Sequence, residues 1–97
     1  MRVHWTARAK ARLRKINDYL AEQNPEAARK VTESILRRSA RLASPPEIGH
    51  RVKGYEETDL REVLTRPYRL IYRVKSNQVD IVAVLHYRQL LPTDLDL

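Results

Sequence analysis

Apolar residues recur in the first half of the chain at spacings of three and four, first Ala9, Leu13, Ile16 and Leu20 with Tyr19 beside them, then Ala28, Val31, Ile35 and Leu42. That period belongs to helices with one apolar face. Thr6 is placed to cap the first, predicted to run to about residue 23. Asn24 and Pro25 restart the second as cap and first helical residue, and Pro45-Pro46 stops it near residue 43. The join is tight enough for an antiparallel helical hairpin.

The second half changes period. Residues 47–59 lose the pattern and read as a loop, with a short extended piece near His50. A strand is predicted over residues 60–65. Tyr68, Leu70, Tyr72 and Val74 then alternate with Arg69, Ile71 and Arg73, and Val79, Ile81, Ala83, Leu85 and Tyr87 with Asp80, Val82, Val84 and His86. A two-residue turn at Ser76-Asn77 sets Val74 opposite Val79, Tyr72 opposite Ile81, Leu70 opposite Ala83 and Tyr68 opposite Leu85, an all-apolar face. The same register sets Arg73 against Asp80 on the other face. With Val3, His4 and Trp5 as an opening strand, the expected architecture is α+β, ordered β-α-α-β-β-β, with the hairpin on one face of a small antiparallel sheet. One domain over residues 1–97 accounts for the chain.

Composition sharpens this picture. There is no cysteine among the 97 residues, which excludes a disulfide framework, a thiolate zinc site and a thiol nucleophile. No apolar run nears the ~20 residues of a membrane span, and the N-terminal stretch does not look like a signal peptide, so a soluble, cytoplasmic protein without a membrane partner is expected. The first 44 residues hold 11 basic and four acidic side chains, so the whole formal charge of +7 lies there and the remaining 53 balance. Such a field favours a polyanion or an acidic protein segment. No metal-ligand spacing occurs, and two glycines make no phosphate loop, so neither metal nor cofactor is expected.

The stretches WTARAKARLRKINDYL, LREVLTRPYRLIYRV and VDIVAVLHYRQLLP, in this order of elements, resemble the RelE/ParE superfamily of bacterial toxins from type II toxin–antitoxin pairs, and the phrase around Pro67-Tyr68-Arg69 is most similar to the ParE branch. In the superfamily pattern a basic residue follows the histidine by three; here Arg88 follows His86 by two. The resemblance implies a toxin that inhibits DNA gyrase and is neutralised by a cognate antitoxin with an acidic C-terminal segment, in a toxin–antitoxin hetero-oligomer. The alternative it implies is a RelE-like endoribonuclease that cuts mRNA on the ribosome. A third reading is a module that binds only its antitoxin, or DNA through the basic hairpin; no third helix follows to read a major groove.

RNA cleavage through the ribose 2′-OH needs a base, an acid and cations for the crowded phosphate. His86, with the one side chain of the set that ordinarily titrates near neutrality, would be the acid or base. Arg69 matches the superfamily's phosphate-holding arginine, and Arg61, Arg73 and Arg88 are the further candidates for a binding surface. Parity points Tyr87 into the core, and Asp80 would neutralise Arg73, so the nucleolytic set is thin and gyrase is the favoured target. Arg12, Arg14, Arg37, Arg38 and Arg41 are the expected contacts of the antitoxin. Trp5 and Tyr72 are expected in the core.

Overall fold

Thr6 and Asn24 start the two helices as expected. In the computed structural model, which describes residues 1–93 and 95, the Thr6 hydroxyl accepts from the Ala9 N–H at 3.2 Å and the Asn24 carboxamide oxygen from the Ala27 N–H at 3.1 Å. Each satisfies an amide that a helix start leaves unpaired. Helix α1 spans Ala7–Gln23, and α2 spans Pro25–Ala40 before tightening into a 3₁₀ turn over Arg41–Ala43. The strands are β1 (Arg2–Trp5), β2 (His50–Arg51), β3 (Leu60–Thr65), β4 (Tyr68–Val74) and β5 (Gln78–His86).

The sheet order is β1-β5-β4-β3-β2. Strands β2 to β5 pair antiparallel, but β1 lies parallel to β5, with Val3 beside Val79 and Trp5 beside Ile81, so the sheet is mixed where an antiparallel one was expected. The cause is the helical hairpin: the chain crosses one face of the sheet between β1 and the later strands and can return in either direction.

The expected hairpin register holds for its first half. Val74 faces Val79, Arg73 faces Asp80 and Tyr72 faces Ile81; then β5 takes in one extra residue, and beyond it Ile71 faces Ala83, Leu70 faces Val84 and Tyr68 faces His86. Leu70 opposite Ala83 and Tyr68 opposite Leu85 are therefore incorrect. This β-bulge at Val82 reverses the parity of everything after it. Its gain is volume, because Val84 instead of Ala83 now fills the helix-side core with Leu70, Tyr72, Val79, Ile81, Ala9, Ile35 and Leu42.

The opposite face is not open. Val82, Ala83 and Leu85 join Ile71, Leu60 and Val52 in a second core, against which Leu91 and Leu95 pack. Leu91 and Leu95 are partly buried, so each holds the C-terminal segment with only a fraction of the roughly 1.5–3 kcal/mol that a fully buried aliphatic side chain contributes.

Tyr72, fully buried, links the helix-side core to the loop before β2. Its hydroxyl accepts from the Gly49 N–H at 2.8 Å and donates to the Pro46 carbonyl at 2.7 Å. A Cβ at Gly49 would stand 2.6 Å from that hydroxyl and 2.6 Å from the Glu62 carbonyl, so only glycine fits there.

Candidate partner-binding surfaces

The bulge divides the expected catalytic set between the two faces of the sheet. Arg69 stays on the face of Leu85, against Glu62 at 3.4 Å, with side chains only 13% and 9% exposed. Its Nη2 donates to the Gln89 carbonyl at 2.6 Å, and its Nε is buried without a partner. Arg69 thus ties the C-terminal segment to the sheet. His86 comes round to the α1 side, edge-on to Tyr68 with ring centroids 6.1 Å apart, and shares a cavity of about 280 Å³ with Arg12 and Lys15. With the imidazole on one face and the guanidinium on the other, the two do not stand side by side as an acid–base group and a phosphate-holding cation would.

The remaining arginines also differ from expectation. Arg73 lies in register with Asp80 but pairs with Asp59 at 3.0 Å. Asp80 instead takes the Lys75 ammonium at 2.7 Å, the Gln78 amide at 2.6 Å and His4 Nδ1 at 3.3 Å. Burial would raise the Asp80 carboxyl, but these donors outweigh it and hold it below the usual carboxylate range. Arg61 pins the loop before β2, donating to the Gly49 carbonyl at 2.8 Å. Tyr87, expected inside, is 41% exposed, because the extra residue in β5 and the turn after His86 carry it off the core. Its ring is 4.9 Å from that of His86, and the Arg88 guanidinium stands 5.3 Å from its centre. His86, Tyr87 and Arg88 so form one exposed column at the end of the sheet.

A groove of about 600 Å³ runs between β1 and the helical hairpin, with Val3, Trp5, Leu13 and Leu36 as its apolar walls. Lys10, Arg14, Asn17, Thr32 and His4 make its polar part. Leu36 is 44% exposed, and with Val3, Trp5 and Leu13 it makes a contiguous apolar lining rather than a lone surface leucine. Trp5 is only half-buried, not fully in the core; its indole N–H donates to Ser39 at 3.2 Å, which fixes the ring as a wall. The five arginines expected for the antitoxin do not share one surface. Arg14 borders this groove, Arg12 lies on the opposite flank of α1, and Arg37, Arg38 and Arg41 line a third, smaller cavity with Ser34 and Thr65. The groove itself was missed in the sequence because Trp5, Leu13 and Leu36 look like ordinary core positions; Leu36 beside Ile35, one step off the apolar stripe, was the available signal.

Among the described residues no group of three or more His, Asp or Glu side chains could hold a metal ion, and no helix is long and apolar enough to cross a membrane.

Three comparisons with known proteins bear on these surfaces. Residues 3–91 match the model of a family described as the ParE toxin of the type II toxin–antitoxin system parDE. The chain is 36% identical over 93 residues to the Y4kP protein of Sinorhizobium fredii, covering 94% of this chain and 93% of that protein. It is 35% identical over 89 residues to Toxin RelE2 of Caulobacter vibrioides, covering 91% and 97%. Among solved structures, a chain of the chromosomal ParDE toxin–antitoxin system from P. aeruginosa superposes with a TM-score of 0.74 at 28% identity, over 89% of this chain and 95% of that one. The RelBE2 toxin–antitoxin complex of Mycobacterium tuberculosis superposes with a TM-score of 0.58 at 24% identity, over 88% and 95%, a likeness of fold.

Proposed function

The chain belongs to the ParE toxin family of type II toxin–antitoxin systems, and we propose that it inhibits DNA gyrase and is silenced when the C-terminal segment of a cognate antitoxin fills the groove between β1 and the hairpin. The observation that carries the choice of gyrase over mRNA is the division of His86 from Arg69 by the sheet, with Arg69 engaged by Glu62 and Gln89. Inhibition needs a binding surface and no acid–base pair. The exposed column His86-Tyr87-Arg88 supplies an aromatic ring and a guanidinium, the side chains that most often dominate protein interfaces.

The groove suits an amphipathic, acidic segment. Val3, Trp5, Leu13 and Leu36 would take its apolar side chains, while Lys10 and Arg14 would meet its carboxylates. Exposed ion pairs contribute roughly 0–1 kcal/mol each, so affinity comes from the apolar walls and the charge chiefly speeds encounter. Arg37, Arg38 and Arg41 lie on a separate surface at the end of α2 and the turn after it, which the same partner would reach by continuing past the groove.

The test is a pair of assays on purified chain. It should block supercoiling by gyrase or trap cleaved DNA and leave ribosome-bound messages intact, and Arg88→Ala should weaken inhibition while the protein stays folded. Cleavage of ribosome-bound RNA with gyrase untouched at equal concentration would replace this reading by the ribonuclease one.

A further inference from the structure

Helix α2 presents a second face, turned away from the groove. Lys30, Ser34 and Arg37 fall within an arc of about 60° around its axis, on the side opposite Thr32 and Leu36 of the groove. Arg41, the first residue of the 3₁₀ turn, continues the row. Two cavities run along it and share Ser34 and Thr65, one of about 160 Å³ reaching Lys30 and Arg66, the other of about 200 Å³ reaching Arg37, Arg38 and Arg41. We propose that, in the chain free of its antitoxin, this face binds the phosphodiester backbone of duplex DNA.

No acidic side chain lines either cavity. Arg38 donates to the Leu64 carbonyl at 3.4 Å, whereas the exposed side chains of Lys30, Arg37, Arg41 and Arg66 have no hydrogen-bond or ion-pair partner among the described residues. By contrast, Arg29 on the same helix is paired with Glu26 and Glu33, Arg69 with Glu62 and Arg73 with Asp59. Like charges one helical turn apart repel, so Arg37 and Arg41 stand together at a cost that an anion would relieve. From Lys30 to Arg41 the row runs roughly 16 Å, some five backbone steps of a DNA strand at about 3.4 Å each. Between the two cavities the Ser34 and Thr65 hydroxyls lie 3.2 Å apart; when one donates to the other, the accepting hydroxyl keeps its own proton for a phosphate oxygen. A phosphate would thus meet both cations and a directed donor. Neither lining holds an aromatic ring, and single strands are bound chiefly through rings on which bases stack, so the backbone of a duplex fits better. The choice of DNA over RNA rests on the gyrase reading, since gyrase itself acts on duplex DNA. An antitoxin segment that continues past the groove would cover the same cations, so occupancy by DNA belongs to the free toxin.

Fluorescence anisotropy on the full chain with a labelled 20-base-pair DNA duplex, repeated over a range of salt concentrations, tests this face. Arg37→Gln/Arg41→Gln should lose about 10-fold or more in affinity at low salt, and about 2 in the slope of log affinity against log salt, one for each phosphate contact removed. Arg2→Gln/Lys53→Gln, an equal charge change on β1 and in the loop after β2, should bind like the parent chain. Far-UV circular dichroism and thermal melting of all three proteins verify that they are folded. Equal losses in the two doubles would reduce the effect to net charge and overturn the site. Tighter binding of an RNA duplex of the same sequence, of the single DNA strand or of a polyglutamate peptide would overturn the assignment to duplex DNA. Because no gyrase is present, a chain that binds the duplex but does not inhibit supercoiling would overturn the gyrase reading alone, and one that inhibits without binding the duplex would overturn this site alone.

Discussion

On the helix-facing side of the sheet, Leu70, Tyr72, Val79, Ile81 and Val84 meet Ala9, Ile35 and Leu42, which two helices of 17 and 16 residues hold in place. On the other side, Ile71, Val82, Ala83 and Leu85 are covered by Val52 from a loop and by Leu91 and Leu95 from the C-terminal segment. On the first face the buried polar groups are met within the fold: the Tyr72 hydroxyl makes both its hydrogen bonds, and Ser39 accepts from the Trp5 indole and donates to the Leu36 carbonyl. The second carries the Glu62–Arg69 pair inside its rim and the Arg73–Asp59 pair at its edge. Helices offer a continuous apolar stripe, whereas a loop and a tail cover a face in pieces and leave polar atoms to be satisfied locally.

The sharpest way to break the contrast is to cut into each core. Ile81→Ala, on the fully buried helix-side face, should cost about 3–4 kcal/mol in urea denaturation and lower every probe of folding together. Leu91→Ala, at a half-buried site of the tail, should cost under about 1 kcal/mol and increase hydrogen exchange around residues 86–91 first. Equal costs would mean the two faces form one cooperative core.

A smaller effect separates pairing from packing on the second face. Arg69→Met leaves the Glu62 carboxylate in a nearly dry site without its cation and should destabilise by about 2–3 kcal/mol in the same titration. Adding Glu62→Leu should recover most of that loss, since replacing both charges by apolar groups is often neutral. If the double variant stays as unstable as the single, the Arg69 bond to the Gln89 carbonyl is what matters there.

The smallest effect is confined to acid. The Asp80 carboxyl is held below its ordinary value by Lys75, Gln78 and His4, so the folded state binds its proton less readily than the unfolded chain. Its stabilisation is present above the unfolded value of about 4 and is lost as pH falls through the lower, folded value. Thermal melts from pH 6 down to 2 should show this decline, and Asp80→Asn should flatten it. An unchanged acid limb in the variant would assign the decline to other carboxylates.

Much of the fold was legible locally. The caps Thr6 and Asn24, Pro25 at the first helical position, and the Val74–Val79 closure of the last hairpin each depend on a few neighbouring residues. The candidate surfaces were less so. The charge excess of the first half was countable, but its partition into an apolar groove with Arg14 and a cationic flank with Arg12 depends on which face of α1 lies against the sheet. His86 and Arg69 read as neighbours on one face because alternation was carried through β5 without interruption.

The sequence by itself determined the elements, their order, their caps and the identity of the helix-side core as far as Ile81, since periods of 3.6 and 2 and the chemistry of caps act over a few residues. Tertiary structure alone decided the parallel seat of β1, the bulge at Val82 and the covering of the second face. From Val79 to Leu85 every residue but Asp80 is apolar, so either face of that strand can be buried and the pattern carries no mark of a slip. Only the volume required beneath the helices, which Val84 fills and Ala83 does not, selects the register that places His86 beside Arg12 and leaves Arg69 beneath the tail.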